Sequence, residues 1–125
     1  MTALPPVERL GALVESDTRL VHRGRFVDTS FLLGIGCDEW LIRIIDGRVA
    51  AIAKGPFVMP RWTFALRAAA EDWAMFWSEN PPPGYHDPFA LIRFGRLRVE
   101  GDMHPFMANL FYFKGVLASL RGVTA

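Results

Sequence analysis

The side chains that could carry acid–base or metal chemistry are few in this chain and stand far apart. Its histidines are His22, His86 and His104. A metal site needs several histidine, cysteine or carboxylate ligands at short, regular spacing, and none of the three histidines belongs to such a set. The sequence therefore predicts no metal centre, and no motif in it indicates a bound cofactor.

Two short motifs place a carboxylate near an imidazole, as general acid–base catalysis requires. His104 follows Asp102 at the predicted start of a helix, where a carboxylate more often caps backbone N–H groups. His86 lies between Tyr85 and Asp87 in a proline-rich loop, and loops carry function more often than cores do. We expect no catalytic residue, and we keep a small enzyme that uses His86 or His104 as a third hypothesis.

The remaining reactive side chains lack the local context that their chemistry needs. Ser30, Ser78 and Ser119 lie outside any nucleophile-elbow motif. Cys37 is the only cysteine, so no intrachain disulfide can form, and we expect a buried, unreactive thiol. None of these side chains therefore indicates nucleophilic catalysis.

The composition is that of an apolar, weakly charged chain. Hydrophobic residues occupy 51% of its 125 positions, and the net charge is +1 despite 12 arginines. Such a charge does not indicate nucleic-acid binding, and this length predicts a single domain over residues 1–125. The opening Met1–Pro6 lacks the pattern of a secretory leader, and no run of about 18 apolar residues indicates a membrane span. We therefore expect a cytoplasmic protein.

The period of the apolar residues divides the chain into predicted helices and strands. Alternation indicates strands and 3,4 spacing indicates helices, and Asp46-Gly47 is a strong hairpin signal. The predicted order is a helix at 7–17, strands at 31–35, 40–45, 49–53 and 61–67, helices at 68–79 and 88–92, a strand at 96–100 and a helix at 103–120. This order predicts an α+β fold, with one face of the sheet covered by helices.

The last helix carries more apolar surface than one face can bury. Asp102 is placed to cap its start. One stripe suffices to dock it, and its members are Met103, Phe106, Leu110, Phe113, Leu117 and Leu120. Phe111 and Tyr112 lie off this stripe, on the far side of the helix. Either both sides pack in a crowded core, or one side lines a ligand cavity or a dimer seam.

The order of several motifs resembles the sterol carrier protein type 2 family. They are the acidic-Trp segment Glu71-Asp72-Trp73, a proline loop, a short helix that ends at Gly95, and a strand that ends in Gly101-Asp102, after an upstream hairpin at 40–53. The resemblance covers residues 28–121 and leaves residues 1–27 as an N-terminal helix and lead-in. It implies a five-stranded, mostly antiparallel sheet, and no catalytic residue is shared across the family.

The resemblance also implies an apolar tunnel between sheet and helices that takes lipids, fatty acyl chains or sterols. The helix at 103–120 is implied to border its mouth. The side chains that we expect to line it are Trp62, Phe64, Trp73, Phe76, Trp77, Phe89, Met103, Phe106, Met107, Leu110 and Phe113.

Five arginines fall opposite the apolar face of the predicted strands. They are Arg43, Arg61, Arg67, Arg96 and Arg98. Together on the open face of the sheet, they would suit an anionic partner, such as lipid head groups at a membrane, an acidic protein or nucleic acid. The alternative is a solvated face on which acids, among them Glu100, are interleaved with the arginines.

The leading hypothesis is therefore a non-catalytic protein that binds or transfers an apolar ligand. The alternative is a homodimer or an accessory interaction module with an aromatic-filled core, in which Phe111 and Tyr112 are interface anchors. The volume of the cavity behind the last helix discriminates between these two hypotheses.

Overall fold

A computed structural model describes residues 4–123 of the chain. After a 3₁₀ turn at Val7–Arg9, the elements are α1 (Leu10–Ser16), α2 (Thr18–Arg23), β1 (Asp28–Ile35), β2 (Asp38–Ile45), β3 (Arg48–Lys54), β4 (Phe64–Ala68), α3 (Ala70–Phe76), α4 (Pro88–Arg93), β5 (Leu97–Gly101), α5 (His104–Ala108) and α6 (Leu110–Ala118). The prediction that the chain has no leader rests partly on residues 1–3, and the predicted domain has its bounds at positions 1 and 125. These positions lie outside the described residues.

The five strands form one sheet in the order β3-β2-β1-β4-β5. Every neighbouring pair is antiparallel except β1 and β4, which run parallel. The turn between β2 and β3 is the predicted Asp46-Gly47, with φ of 54° and 78°; two-residue hairpin turns of type I′ need positive φ at both positions. The predicted α+β class and the mostly antiparallel sheet are confirmed.

Alternation along the strands divides the sheet into two faces, as predicted. Phe31, Ile42 and Phe64 share one face through their pairing register and belong to the core beneath the helices. The N-terminal helices are part of the same core, because Leu10 and Leu20 are buried in it. One face of the sheet is therefore covered by helices.

The opposite face is less open than the sequence predicts. Leu32 and Ala65 point to this side, and neither has exposed surface. The connection at residues 55–63 has to pass from the edge strand β3 to β4 on the other side of β1, and it ends where Thr63 N donates a hydrogen bond to Ser30 O at 2.8 Å.

The predicted single helix at 103–120 is wrong, because the chain breaks at Asn109 into α5 and α6. Asn109 has φ −123° and ψ 37°, and its side-chain Nδ2 donates to Pro105 O at 3.0 Å. An asparagine side chain that bonds to nearby backbone competes with helix formation. Asp102 stands one position before the N-cap residue Met103, and its carboxylate accepts a hydrogen bond from His104 N at 3.1 Å.

The N-terminal region also differs from its prediction. Residues 18–23 form α2, whereas the sequence predicts one helix that ends at position 17. Asp17 separates the two helices and caps the second, since its side chain accepts a hydrogen bond from Leu20 N at 3.1 Å.

No helix within residues 4–123 is long and apolar enough to cross a membrane.

Candidate apolar ligand site

Four phenylalanine rings pack together between the sheet and the last two helices. Phe31 and Phe64 are stacked with centroids 5.4 Å apart, and Phe113 meets both rings edge-on, at 5.7 and 5.3 Å. Phe106 from α5 closes the group, 5.6 Å from Phe64 and 5.9 Å from Phe113. We call Phe31, Phe64, Phe106 and Phe113 the phenylalanine cluster.

A second aromatic group lies on and just after α3. Trp73 and Trp77 are stacked at 4.9 Å, and Phe76 meets the Trp73 ring edge-on at 5.7 Å. Both indoles are hydrogen-bonded across the core: Trp73 Nε1 donates to Gly34 O at 2.9 Å and Trp77 Nε1 donates to Leu117 O at 2.7 Å. These bonds tie α3 to β1 and to α6.

The predicted tunnel walls are closed on one another in this structure. Five of the predicted side chains have no exposed surface; they are Phe64, Trp73, Phe76, Phe106 and Phe113. A side chain that borders a cavity large enough for water has accessible surface on that cavity. These five side chains therefore border no such cavity, and the tunnel itself stays a prediction.

Of the other predicted wall residues, Trp77 is buried and the remaining five lie nearer the surface. Trp62 and Leu110 are partly buried, whereas Phe89, Met103 and Met107 are each more than 40% exposed. Within α5, Phe106 is the one buried residue. Helix α5 is thus anchored in the core through a single side chain, which inserts into the phenylalanine cluster.

One buried polar residue was not among the predicted site residues. Thr29, in β1, lies on the helix-covered face beside Phe31 and opposite Ile44. It is 5% exposed, and its Oγ1 makes no hydrogen bond with any described group. The sequence does carry a signal, because the alternation of Phe31, Leu33 and Ile35 extends back to position 29.

Tyr112 is wrong as an interface anchor, because it belongs to the core. Its hydroxyl donates to Gly47 O at 2.8 Å, and burial raises its pKa above the usual 10.0. The ring lies so close to Gly24 that a Cβ there would come within 2.2 Å of it. Phe111, by contrast, is 68% exposed and faces the guanidinium of Arg23.

The predicted arginine face is neutralised by acids, which is the alternative that the sequence left open. Arg67 Nε donates to Glu100 Oε1 and Arg67 Nη1 donates to Glu39 Oε2, both at 2.7 Å. The hydrogen bonds to Glu39 and Glu100 raise the pKa of Arg67. Arg98 Nε lies 3.0 Å from Glu100 Oε2, and Arg43 pairs with Asp28.

Two of the five arginines lie outside the strands. Arg61 is exposed in the crossing segment 55–63. Arg96 precedes β5, and its guanidinium lies 4.6 Å from the Tyr85 ring centroid and 5.2 Å from that of Phe94. The other three arginines share the face of the sheet opposite the core, as predicted. Their carboxylate partners match the interleaved alternative, and an anionic partner for this face stays a prediction.

The candidate catalytic side chains do not form a site. His86 and His104 are exposed, and Asp102 bonds to the backbone N–H of His104. Cys37 is exposed in the turn between β1 and β2, so the prediction of a buried thiol is wrong; a tight turn leaves its side chain no core to enter. Residues 4–123 hold no group of three histidine, cysteine or carboxylate side chains that could bind a metal ion.

Comparison with known proteins identifies the architecture. No protein-family model and no curated protein sequence matches the chain. Among solved structures, sterol carrier protein 2 matches with a TM-score of 0.76, 11% identity and 94% of each chain covered. A protein described as UbiJ-SCP2, a ubiquinone synthesis protein, matches with a TM-score of 0.57, 14% identity, 89% of this chain and 84% of that one.

An enzyme is also among the matches. The sec-alkylsulfatase Pisa1 from Pseudomonas sp. matches with a TM-score of 0.55 and 10% identity over 74% of this chain, which corresponds to 14% of the sulfatase chain. The shared part is therefore a small portion of that enzyme. At these identities the likeness concerns the fold, and this chain has the fold of sterol carrier protein 2.

Proposed function

We propose that this protein binds an apolar small molecule, such as a lipid, a fatty acyl chain or a sterol-like compound, between its sheet and its helices. The observation that carries the proposal is the aromatic interior beneath α5, a helix that enters the core through Phe106 alone. The likeness to sterol carrier protein 2 over 94% of the chain supports it. The proposed role is non-catalytic, because neither His86 nor His104 is buried with a carboxylate partner.

Binding requires the interior to open, and the free energies make this feasible. Exposing one buried phenylalanine side chain costs about 1.5–3 kcal/mol, whereas burying ten methylene groups contributes about 8 kcal/mol before entropy costs. A medium-length alkyl chain can therefore offset the displacement of Phe106. The exposed thioethers of Met103 and Met107 on the same helix are flexible, polarisable surface that suits irregular apolar ligands.

Native mass spectrometry of the purified protein, followed by organic extraction and identification of lipids, tests the proposal. We expect an apolar molecule to co-purify at a stoichiometry near one, or a pyrene-labelled alkane to bind the ligand-free protein. Failure of both would refute the proposal.

The second candidate function is an interaction module with a filled core. It is favoured by the complete burial of the phenylalanine cluster and by the exposed apolar side chains of Val58 and Met59, which are 94% and 90% exposed in the crossing segment. A dimer in the native mass spectrum that takes up no alkane would favour this function over ligand binding.

A further inference from the structure

We infer that Thr29 holds the polar end of the bound ligand, and that the ligand is an apolar molecule with one neutral oxygen head group, an alcohol or a ketone. This inference rests on the proposed function and specifies its ligand. It starts from the burial and the hydrogen bonding of the polar side chains in the core. Thr29 is the one buried polar or charged residue of the part that the structure describes.

The other polar atoms of the buried aromatic residues already have partners. The indoles of Trp73 and Trp77 and the hydroxyl of Tyr112 each donate a hydrogen bond to a backbone carbonyl. Thr29 Oγ1 is the buried side-chain atom without a partner within residues 4–123. It is therefore the buried polar side-chain group, among the described residues, that remains able to bond to a ligand.

An unpaired buried hydroxyl is costly, and a hydrocarbon of the same shape would avoid that cost. Valine has the shape of threonine and also suits a β-strand. The sequence nevertheless has a hydroxyl at a position flanked by Phe31 and Ile44. A ligand oxygen that bonds to Thr29 in the bound state accounts for its presence.

The surroundings select a neutral head group. A hydroxyl is both donor and acceptor, so it can pair with an alcohol or a carbonyl oxygen. An ionised carboxylate would need a cation nearby, because burying an unpaired charge costs far more. The nearest arginine in the register, Arg43, pairs with Ser30 on the opposite face and is bonded to Asp28.

Thr29 also lies at the end of the sheet that α5 covers. Phe31 pairs with Phe64, and Phe64 pairs with Gly101, the last residue of β5 before α5. Thr29 is two positions beyond Phe31 in the direction of this edge. Thr29 and the ring of Phe106, which contacts Phe64, therefore lie at the same end of the helix-covered core.

The test measures how well 1-dodecanol and dodecane each displace a pyrene-labelled alkane from the protein. It is done with wild type and with Thr29→Val. The ratio of the two affinities is first corrected for the partition of 1-dodecanol and dodecane into octanol. If Thr29 bonds to the alcohol, the corrected ratio for wild type should favour 1-dodecanol by about two- to tenfold. Thr29→Val should lose this preference and retain dodecane binding. Thr29→Ser, which keeps the hydroxyl, and Ser30→Ala, on the opposite face, should both retain the preference.

The outcomes separate the two proposals. If the labelled alkane binds and Thr29→Val keeps the full preference for 1-dodecanol, the head-group inference is wrong and the proposed function stands. If dodecanoate at pH 8 binds more tightly than 1-dodecanol, the neutral head group is wrong. If neither wild type nor Thr29→Ser binds the labelled alkane, and no apolar molecule co-purifies with the protein, the proposed function itself fails.

Discussion

Replacing Phe106 with alanine tests whether α5 is held over the ligand site by one ring. Phe106 has no exposed surface and contacts Phe64 and Phe113, and truncation of a buried phenylalanine costs about 3–5 kcal/mol. The lower value applies here, because no other residue of α5 is fully buried. At about 4 °C per kcal/mol for a domain of this size, we expect the melting temperature to fall by about 12 °C.

The same change should strengthen ligand binding. In wild type a ligand has to displace the Phe106 ring, at a cost of about 1.5–3 kcal/mol; the alanine variant has no ring to displace. Since 1.4 kcal/mol is a factor of ten, the labelled alkane should bind about 10- to 100-fold more tightly. At 100 times its Kd the ligand should return about 2.7 kcal/mol of stability, which nearly restores the melting temperature.

Thermal unfolding with and without the labelled alkane, together with its fluorescence titration, measures both effects. Phe111→Ala is the matched control, because this ring is 68% exposed on the adjacent helix α6; we expect it to change stability by less than about 1 kcal/mol. Equal destabilisation by the two variants would refute the role of Phe106 as the anchor. A destabilised Phe106→Ala that binds the alkane more weakly than wild type would refute the idea that its ring occupies the ligand's place.

Three further changes test the core and the sheet. Thr29→Val should raise the unfolding free energy of the ligand-free protein by about 1 kcal/mol, since it removes an unpaired buried hydroxyl; a loss of stability in urea unfolding would show that the hydroxyl is satisfied. Tyr112→Phe should cost about 1 kcal/mol by leaving Gly47 O unbonded. Because burial raises the pKa of Tyr112, the folded state holds its phenolic proton more tightly than the unfolded state. Wild-type stability should therefore fall as the pH rises above 10, and by more than in Tyr112→Phe; parallel curves would contradict this. Arg67→Ala should cost about 1–2 kcal/mol, because it leaves the partly buried Glu39 without its cation and Glu100 with Arg98 alone. The exposed Arg61→Ala should change stability by less than about 0.5 kcal/mol; equal effects in urea unfolding would refute the network.

The strands, and the face of the sheet on which their side chains lie, were predictable because the sequence signals for them are local. Phe31, Leu33 and Ile35 alternate along β1, and Asp46-Gly47 supplies the two positive φ angles of the hairpin. Both properties follow from the pleat of a strand and from turn geometry. The helix-covered face could therefore be predicted from residue order, together with its apolar members.

Errors arose where one local preference competes with another. Residues 103–120 have a continuous helical stripe, yet the Asn109 side chain bonds to Pro105 O and breaks the helix there. Asp17 likewise ends one helix and caps the next. An asparagine or aspartate can serve helix, cap or turn, and the spacing of apolar residues does not distinguish these uses.

Residue type and periodicity determine the sheet, the hairpin and the apolar content of the core in this protein. They do not determine which of two neighbouring aromatic side chains is buried, because that depends on elements distant in the chain. Tyr112 is buried through contact with Gly24 and Gly47, whereas its neighbour Phe111 remains at the surface. The pairing of Arg67 with two acids and the isolation of the Thr29 hydroxyl also arise from packing. Burial and hydrogen bonding across a core are set by the elements that pack together, and a strand's alternation specifies only the face on which each side chain lies.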